Sequence, residues 1–375
     1  MIKVIVVSEE GRGGGPLKRM KLLGSHWSGK INYSLLLPKS TDPLILESLQ
    51  NEKIKLDLLS LHPLTKNIIG LLRYVLFFIP EIIRLIRFFR KEKPDIIHAN
   101  GSWQIKSLIA SKFTKSRAIW HMNDMYQPKL VRVLFKICAG LPDAYIFASE
   151  RTKKYYMGIA PAIKHYMVRD VIPAPVKMEM NTVASQALNK PTKVVTVCYI
   201  NENKGLEELL EALSLLKEEE ISLDIVGPVI AGKESYMRKL KGLMADLGLN
   251  NVRFCGYKQI NASFLKQYDF YICSSRREAS PMAVWEALAA GLPVISTDVG
   301  DVASVLEEYE CGILIREGTT DSISEAIRHS IGLNENRYFH MREKARRAAQ
   351  EMFAIENLIP KYVDCYTKVA SGTFN

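Results

Sequence analysis

Short apolar runs of strand length alternate with helical patterns along the chain, the signature of a parallel-sheet α/β protein. In the first half the runs at 2–7, 95–99, 118–121 and 144–148 predict strands. The alternation lapses over 171–192, where Pro173, Pro175, Pro191 and a polar run predict no long element. It resumes at 193–197 and continues through 222–226, 252–254, 270–273 and 294–297. Two doubly wound domains follow, 1–170 and 193–350, joined by a linker at 171–192, with an active site expected in the cleft between them. The amphipathic pattern at 353–369 predicts a last helix within 351–375.

One apolar segment stands apart. Residues 67–89 are interrupted by Arg73, Glu81, Arg84 and Arg87, and Pro80 would bend them. That is too much charge in too short a run for a spanning helix. Two readings stay open. One is a partly buried helix pair leading into the strand at Asp95. The other is a basic, aromatic-rich surface resting in the membrane interface, with Arg84, Arg87, Arg90 and Lys91 facing anionic lipid.

Composition narrows the class. A chain of 375 residues with 24% charged and 47% hydrophobic residues has room for two globular domains and is not disordered. The net charge of +11 favours an anionic partner: a nucleoside diphosphate, an anionic membrane or nucleic acid. No zinc-finger or RNA-binding fingerprint accompanies the charge, so no nucleic acid partner is expected. Cys138, Cys198, Cys255, Cys273, Cys311 and Cys365 are scattered without a Cys-x-x-Cys pair and read as reduced core residues of a cytoplasmic protein. The start, MIKVIVVSEE, reads as a first strand and is too short for a signal peptide.

The densest chemistry lies at 278–300, EASPMAVWEALAAGLPVISTDVG. A helix is predicted over 282–290, opened by Pro281 and ended by Gly291 and Pro293. Its N-terminus is a ready anion site. Glu278 precedes it, within reach of hydroxyls beside that anion. Glu286, eight residues on, stands among Ala, Val, Trp and Leu, where a carboxylate is costly without a partner such as a sugar or ribose hydroxyl. Asn203-Lys204-Gly205 joins the strand at 193–197 to a helical run at 206–217. Near the start, Gly11-Arg12-Gly13-Gly14-Gly15 follows the first strand, and glycines such as Gly14 and Gly15 let backbone N–H groups approach an anion. Pro16 occupies the third glycine place of a dinucleotide fingerprint, and no Gly-Lys-Ser/Thr of a P-loop is present.

The 278–300 stretch resembles the sugar-nucleotide motif of the retaining glycosyltransferases of family four, the glycosyl transferases group 1 of bacterial cell-surface polysaccharide synthesis. Their pattern is Glu, seven residues, Glu, then an Ala-rich helix and a Gly-x-Pro-Val strand entry. The resemblance extends along the chain and is densest over 196–317. It implies a GT-B architecture: α/β, two Rossmann-like doubly wound domains facing across a cleft, the first binding the acceptor and the second the nucleotide sugar. The final helix would return to the N-terminal domain.

By the same resemblance Lys204 grips the donor diphosphate, whose leaving charge an ammonium stabilises as it develops. Glu278 holds sugar hydroxyls and Glu286 the ribose. The N–H groups of Met282 and Ala283 add to the phosphate site, to which Pro281 has none to give. The loop with Gly14 and Gly15 approaches the donor from the other wall, and Arg12 is placed to meet an anionic acceptor. His121 or Asn123 faces the transferred sugar, a choice left open. His98 reads as a hydrogen-bonded structural residue, and Ser149-Glu150 as packing or cleft shape.

The family usually has an Arg five residues before the Lys, preceded by Gly. Tyr199 and Cys198 stand there, so either Tyr199 donates a weaker hydrogen bond or the charge comes from Arg276 and Arg277. The implied reaction is metal-independent, needs no cofactor, retains anomeric configuration and uses the leaving diphosphate to help deprotonate the acceptor. The implied donor is a UDP-linked hexose or N-acetylhexosamine, and the acceptor a saccharide or lipid-linked saccharide in lipopolysaccharide or capsule synthesis. The implied location is cytoplasmic, with peripheral contact with an anionic membrane. The alternative is a non-catalytic nucleotide-sugar-binding or partner subunit of the same fold, favoured by Tyr199. An epimerase is disfavoured by the full donor motif.

Overall fold

The computed structural model describes residues 1–11, 13–27, 29–52, 54–64, 68–166, 168–179, 188–230 and 232–372. Arg12, Asn67 and residues 180–187 of the expected linker therefore lie outside the described residues. Two compact units emerge. One is Met1–Pro175 together with the segment that begins at Ile355, and the other is Val176–Ala354.

The first unit is built on a parallel sheet of β1 (Ile2–Val7), β2 (Ile31–Pro38), β3 (Lys55–Leu59), β4 (Ile96–Asn100), β5 (Arg117–Met122), β6 (Ala144–Phe147) and β7 (Arg169–Val171). The strand order is β3-β2-β1-β4-β5-β6-β7. The second has β8 (Thr192–Val197), β9 (Ile221–Val226), β10 (Val252–Gly256), β11 (Phe270–Cys273), β12 (Val294–Thr297) and β13 (Gly312–Ile315), in the order β10-β9-β8-β11-β12-β13. All described pairings in both sheets are parallel. Helices cover both faces of such a sheet, so its central strands are continuous apolar runs rather than alternating ones. In β1, Val4, Ile5, Val6 and Val7 are all fully buried.

In each sheet the connections change direction beside the first strand: between β1 and β4, and between β8 and β11. At such a switch point the loops leaving the two carboxyl ends diverge and open a crevice, which is where ligands bind in open α/β sheets. The loops that follow β8 and β11 carry Lys204 and Glu278.

The helix Ile355–Ser371 buries Ile355, Leu358, Tyr362, Cys365, Tyr366 and Val369, a stripe at helical spacing. These side chains share one core with Val4, Val6, Leu35, Ile96 and Ile119 of the first sheet. Residues 68–92 form one continuous helix, Ile68–Glu92, in place of a helix pair. Pro80 sits on its exposed side, where water can take up the Leu76 carbonyl that loses its donor. Tyr74 before it and Glu81, Ile82, Leu85 and Phe89 after it are buried, so both halves are pinned to the same unit. No helix among the described residues is long and apolar enough to cross a membrane.

Candidate active site

In the second unit, β8 leads through Asn201, which caps a short 3-10 turn Glu202–Lys204, into the helix Leu206–Ser214. Gly205 makes the junction at φ 61°, a left-handed conformation. A Cβ there would stand 2.1 Å from the Ser274 carbonyl oxygen, so only glycine lets this turn lie against the loop after β11. Ser274 Oγ donates to the Lys204 carbonyl (2.8 Å), Arg276 N to the Asn203 carbonyl (2.8 Å), and Asn203 Nδ2 to the Arg277 carbonyl (2.7 Å). Thr297 Oγ1, at the end of β12, donates to the Ser275 carbonyl at 2.6 Å. Two loops from different strands are thereby laced into one wall.

On that wall Lys204 Nζ and Glu278 Oε1 lie 2.5 Å apart, and Ser275 Oγ donates to the same oxygen at 3.0 Å. Both charged side chains are about one-fifth exposed, at 21% and 20%. Burial alone would lower the Lys204 pKa; the adjoining Glu278 carboxylate outweighs it and holds the ammonium above its ordinary range. The sequence placed both residues at this site, and the structure brings them together as an ion pair.

The helix Met282–Ala289 starts four residues beyond Glu278, with Pro281 at its N-cap and no side-chain cap. The N–H groups of Met282 and Ala283 head it, while Pro281 O takes the N–H groups of Val284 and Trp285. Trp285 is buried, donates to Ser280 Oγ (3.0 Å) and stacks on Phe353 (4.0 Å between ring centroids), which anchors the helix. Met282, Val284, Trp285, Ala287, Leu288 and Ala289 are buried. Ala283 and Glu286, three residues apart, form the half-exposed edge. The helix turns its apolar residues to the core, and Glu286 stands at its half-buried edge.

Tyr199 is 37% exposed. Arg276, one expected source of replacement charge, pairs instead with Glu208.

In the first unit the glycine-rich loop leads into the helix Gly15–Gly24, with Gly14 at the N-cap and φ 155°. The helix carries Arg19 inward, although its Lys-Arg-Met-Lys context reads as a surface run. Arg19 Nη1 meets His121 Nε2 (2.6 Å) and Asn123 Oδ1 (2.5 Å). His121 Nδ1 meets His98 Nε2 (3.1 Å), and His98 Nδ1 meets the Tyr366 hydroxyl (2.8 Å).

A guanidinium only donates, which fixes the direction of this chain. His121 Nε2 accepts, so Nδ1 carries the proton and donates to His98 Nε2; His98 Nδ1–H then donates to the tyrosine oxygen. Burial, and then the nearby Arg19 charge, push the His98 pKa down to about 3 and that of His121 well below the usual range, so both rings are neutral. This corrects the expectation for His121. The ring is fully buried and both its nitrogens are engaged, Nε2 by Arg19, which also donates to Asn123, and Nδ1 by His98. Asn123, half-exposed and also donating to Asn100 Oδ1 (2.7 Å), is the one of the two that reaches the surface. Sequence reading missed Arg19; a basic residue four beyond a glycine-rich loop is the only signal it offered.

Residues 180–352 match the family model described as glycosyl transferases group 1. A relative, the amylovoran biosynthesis glycosyltransferase AmsK of Erwinia amylovora, is 27% identical over 224 residues, 57% of this chain and 47% of that protein. Another, the GDP-mannose:cellobiosyl-diphosphopolyprenol alpha-mannosyltransferase of Xanthomonas campestris, is 26% identical over 204 residues, 52% of each chain. The chain thus spans about half the length of the curated relatives it matches. Among solved structures, Anabaena Alr3699/HepE in complex with UDP and glucose aligns with a TM-score of 0.83 at 16% identity, over 98% of this chain and 100% of that one. Sucrose-phosphate synthase from Thermosynechococcus elongatus aligns with a TM-score of 0.82 at 15% identity, over the full length of both. The fold is the GT-B fold of glycosyltransferases, with two Rossmann-like parallel-sheet domains.

Proposed function

We propose that this protein, whose residues 180–352 match the glycosyl transferases group 1 family, transfers a sugar from a nucleoside-diphosphate donor in surface polysaccharide synthesis. The single observation that carries the reading is the Lys204–Glu278 pair, held at the switch point of the second sheet before an uncapped helix N-terminus. In this reading the donor diphosphate lies against Lys204 and the N–H groups of Met282 and Ala283. When the sugar–phosphate bond breaks, the bond pair leaves with the diphosphate, and Lys204 stabilises the growing charge. Glu278, released from the lysine by the diphosphate, accepts hydrogen bonds from sugar hydroxyls. Glu286, one turn behind Ala283, takes the ribose.

The transfer retains anomeric configuration without metal or cofactor, and the leaving diphosphate takes the acceptor proton. The donor is a UDP-hexose or UDP-N-acetylhexosamine, supported by the UDP and glucose in the HepE complex. The acceptor is a saccharide or lipid-linked saccharide of the lipopolysaccharide or capsule type. A relative named for a diphosphopolyprenol-linked substrate supports the lipid-linked form. The reaction is placed at the inner face of the cell membrane.

Calorimetric titration with UDP, GDP and ADP in the presence of EDTA tests this. Tight binding of UDP is expected. Binding of none of the three favours a non-catalytic subunit, the reading to which Tyr199 points.

A further inference from the structure

The first three turns of the helix Ile68–Glu92 expose Ile68, Ile69, Leu72, Val75, Leu76 and Ile79, each more than 60% accessible. At about 100° per residue these positions form one stripe roughly 120° wide. Arg73, Arg84, Arg87 and Lys91 follow one edge of it. The only acid before the last residue, Glu81, is buried. A second helix, Lys129–Cys138, has the same character: it exposes Val133, Leu134 and Ile137 and carries Lys129, Arg132 and Lys136 with no acid. The two are neighbours, since Phe78 packs into one core with Phe135 and Cys138. A protein interface of this apolarity is depleted in lysine. An apolar stripe with a purely cationic margin suits an anionic bilayer surface.

Beside this stripe lies a cavity of about 590 Å³, whose cationic and polar lining is Lys39, Ser40, Ser60, His62 and Arg73, with Ile69 at its apolar side. Its wall is fixed from below. Buried Glu81 receives the His62 N–H at 3.0 Å and lies 2.5 Å from His62 Nδ1. Buried Lys106 pairs with Glu81 (2.5 Å) and donates to the His62 carbonyl (2.7 Å). The His62 ring stacks on Phe77 (4.6 Å) of the exposed helix. Arg73, which lines the cavity, also stands on the edge of the apolar stripe.

We propose that the Ile68–Glu92 helix lies in the interface of an anionic bilayer, and that the cavity formed with Lys39, His62 and Arg73 takes the diphosphate of a membrane-anchored lipid. The proposal rests on the lipid-linked acceptor reading above and assigns that acceptor's charged group a place in the first unit.

The test is co-sedimentation of the full chain with three kinds of vesicle: phosphatidylcholine alone, phosphatidylcholine with phosphatidylglycerol, and phosphatidylcholine with undecaprenyl diphosphate. Partitioning should rise with phosphatidylglycerol and rise further with the diphosphate lipid. Leu72→Glu/Leu76→Glu should lower binding to every vesicle about a hundredfold, from two leucines withheld from the apolar phase. Lys39→Ala/Arg73→Ala should cost about fivefold per charge and abolish the added affinity for the diphosphate lipid. Both variants replace exposed residues and should keep the wild-type Tm and UDP affinity. A wild-type chain that stays in the supernatant overturns the proposal. So does an undiminished preference for the diphosphate lipid in Lys39→Ala/Arg73→Ala. Self-association of the wild type that Leu72→Glu/Leu76→Glu abolishes would also overturn it, by making the stripe an interface between copies. UDP titration separates the two readings: vesicle binding without nucleotide binding defeats the proposed transferase and leaves this surface standing.

Discussion

Replacing Lys204 by Met separates a chemical role from a structural one, because the geometry sets different magnitudes for each. Lys204 and Glu278 are an ion pair at 2.5 Å with each side chain about one-fifth exposed. Removing the cation leaves Glu278 with the Ser275 hydroxyl at 3.0 Å and with access to water. The stability cost is therefore about 1–2 kcal/mol, below the ~3–5 kcal/mol for an ion stranded in a sealed interior. For a unit of this size that lowers Tm by about 2–8 °C. The expected loss in turnover is larger. A preorganised charge aimed at a leaving oxyanion contributes about 2.7–4 kcal/mol, or roughly 10²–10³ in kcat. Release of nucleoside diphosphate from the nucleotide sugar, at saturating donor, reads turnover, and differential scanning fluorimetry reads Tm. Turnover within tenfold of wild type would refute the assignment of Lys204 to the leaving group. A collapse of Tm far beyond the stated range would instead show that the pair holds the fold.

Gly205→Ala forces a Cβ to 2.1 Å from a backbone carbonyl at φ 61°, so the loop carrying Lys204 must separate from that carrying Glu278. A Tm lowered by about 1–3 kcal/mol of strain, with weakened nucleotide binding in calorimetry, is expected. Lys106→Met leaves Glu81 and Glu9 buried without their cation and should cost about 3–5 kcal/mol in urea unfolding, far more than any exposed lysine. His98 and His121 are held neutral in the fold by burial and Arg19, with His98 pushed down to about 3, whereas the unfolded rings titrate near pH 6.5. The unfolded state then binds protons that the fold refuses, so these rings favour the fold above about pH 6.5 and oppose it as pH falls from there toward 3. Their contribution to the slope approaches two protons, about 2.7 kcal/mol per pH unit. Unfolding of His98→Gln between pH 4 and 7 should show a shallower slope; an unchanged slope would refute the neutral-pair assignment.

Residue order alone determined that this is a chain of parallel-sheet units, because a strand buried on both faces must be a short, wholly apolar run. It also marked where the candidate donor-binding residues concentrate. The Pro281–Gly291 punctuation marks a helix start, and Glu278, Lys204 and Glu286 stand at readable distances from strand ends. Four strands were not predicted: β2 and β13, which carry apolar runs, and β3 and β7, which do not. β3 reads Lys-Leu-Asp-Leu-Leu and β7 is only three residues long, and each is held by pairing with a neighbour.

Only the tertiary structure decided which side chains meet. Lys204 and Glu278 are 74 residues apart, and they pair because β8 and β11 are neighbours in the sheet and Gly205 admits the Ser274 carbonyl. Arg19, His121, His98 and Tyr366 come from a helix, two strands and the returning C-terminal helix. No local pattern encodes their chain of donors or the burial that keeps both histidines neutral. Likewise the sequence showed that 67–89 is apolar, but burial alone shows which of those residues serve the core and which are left to the surface. Periodicity records what one element needs to bury. What it is buried against is a property of the assembled sheets.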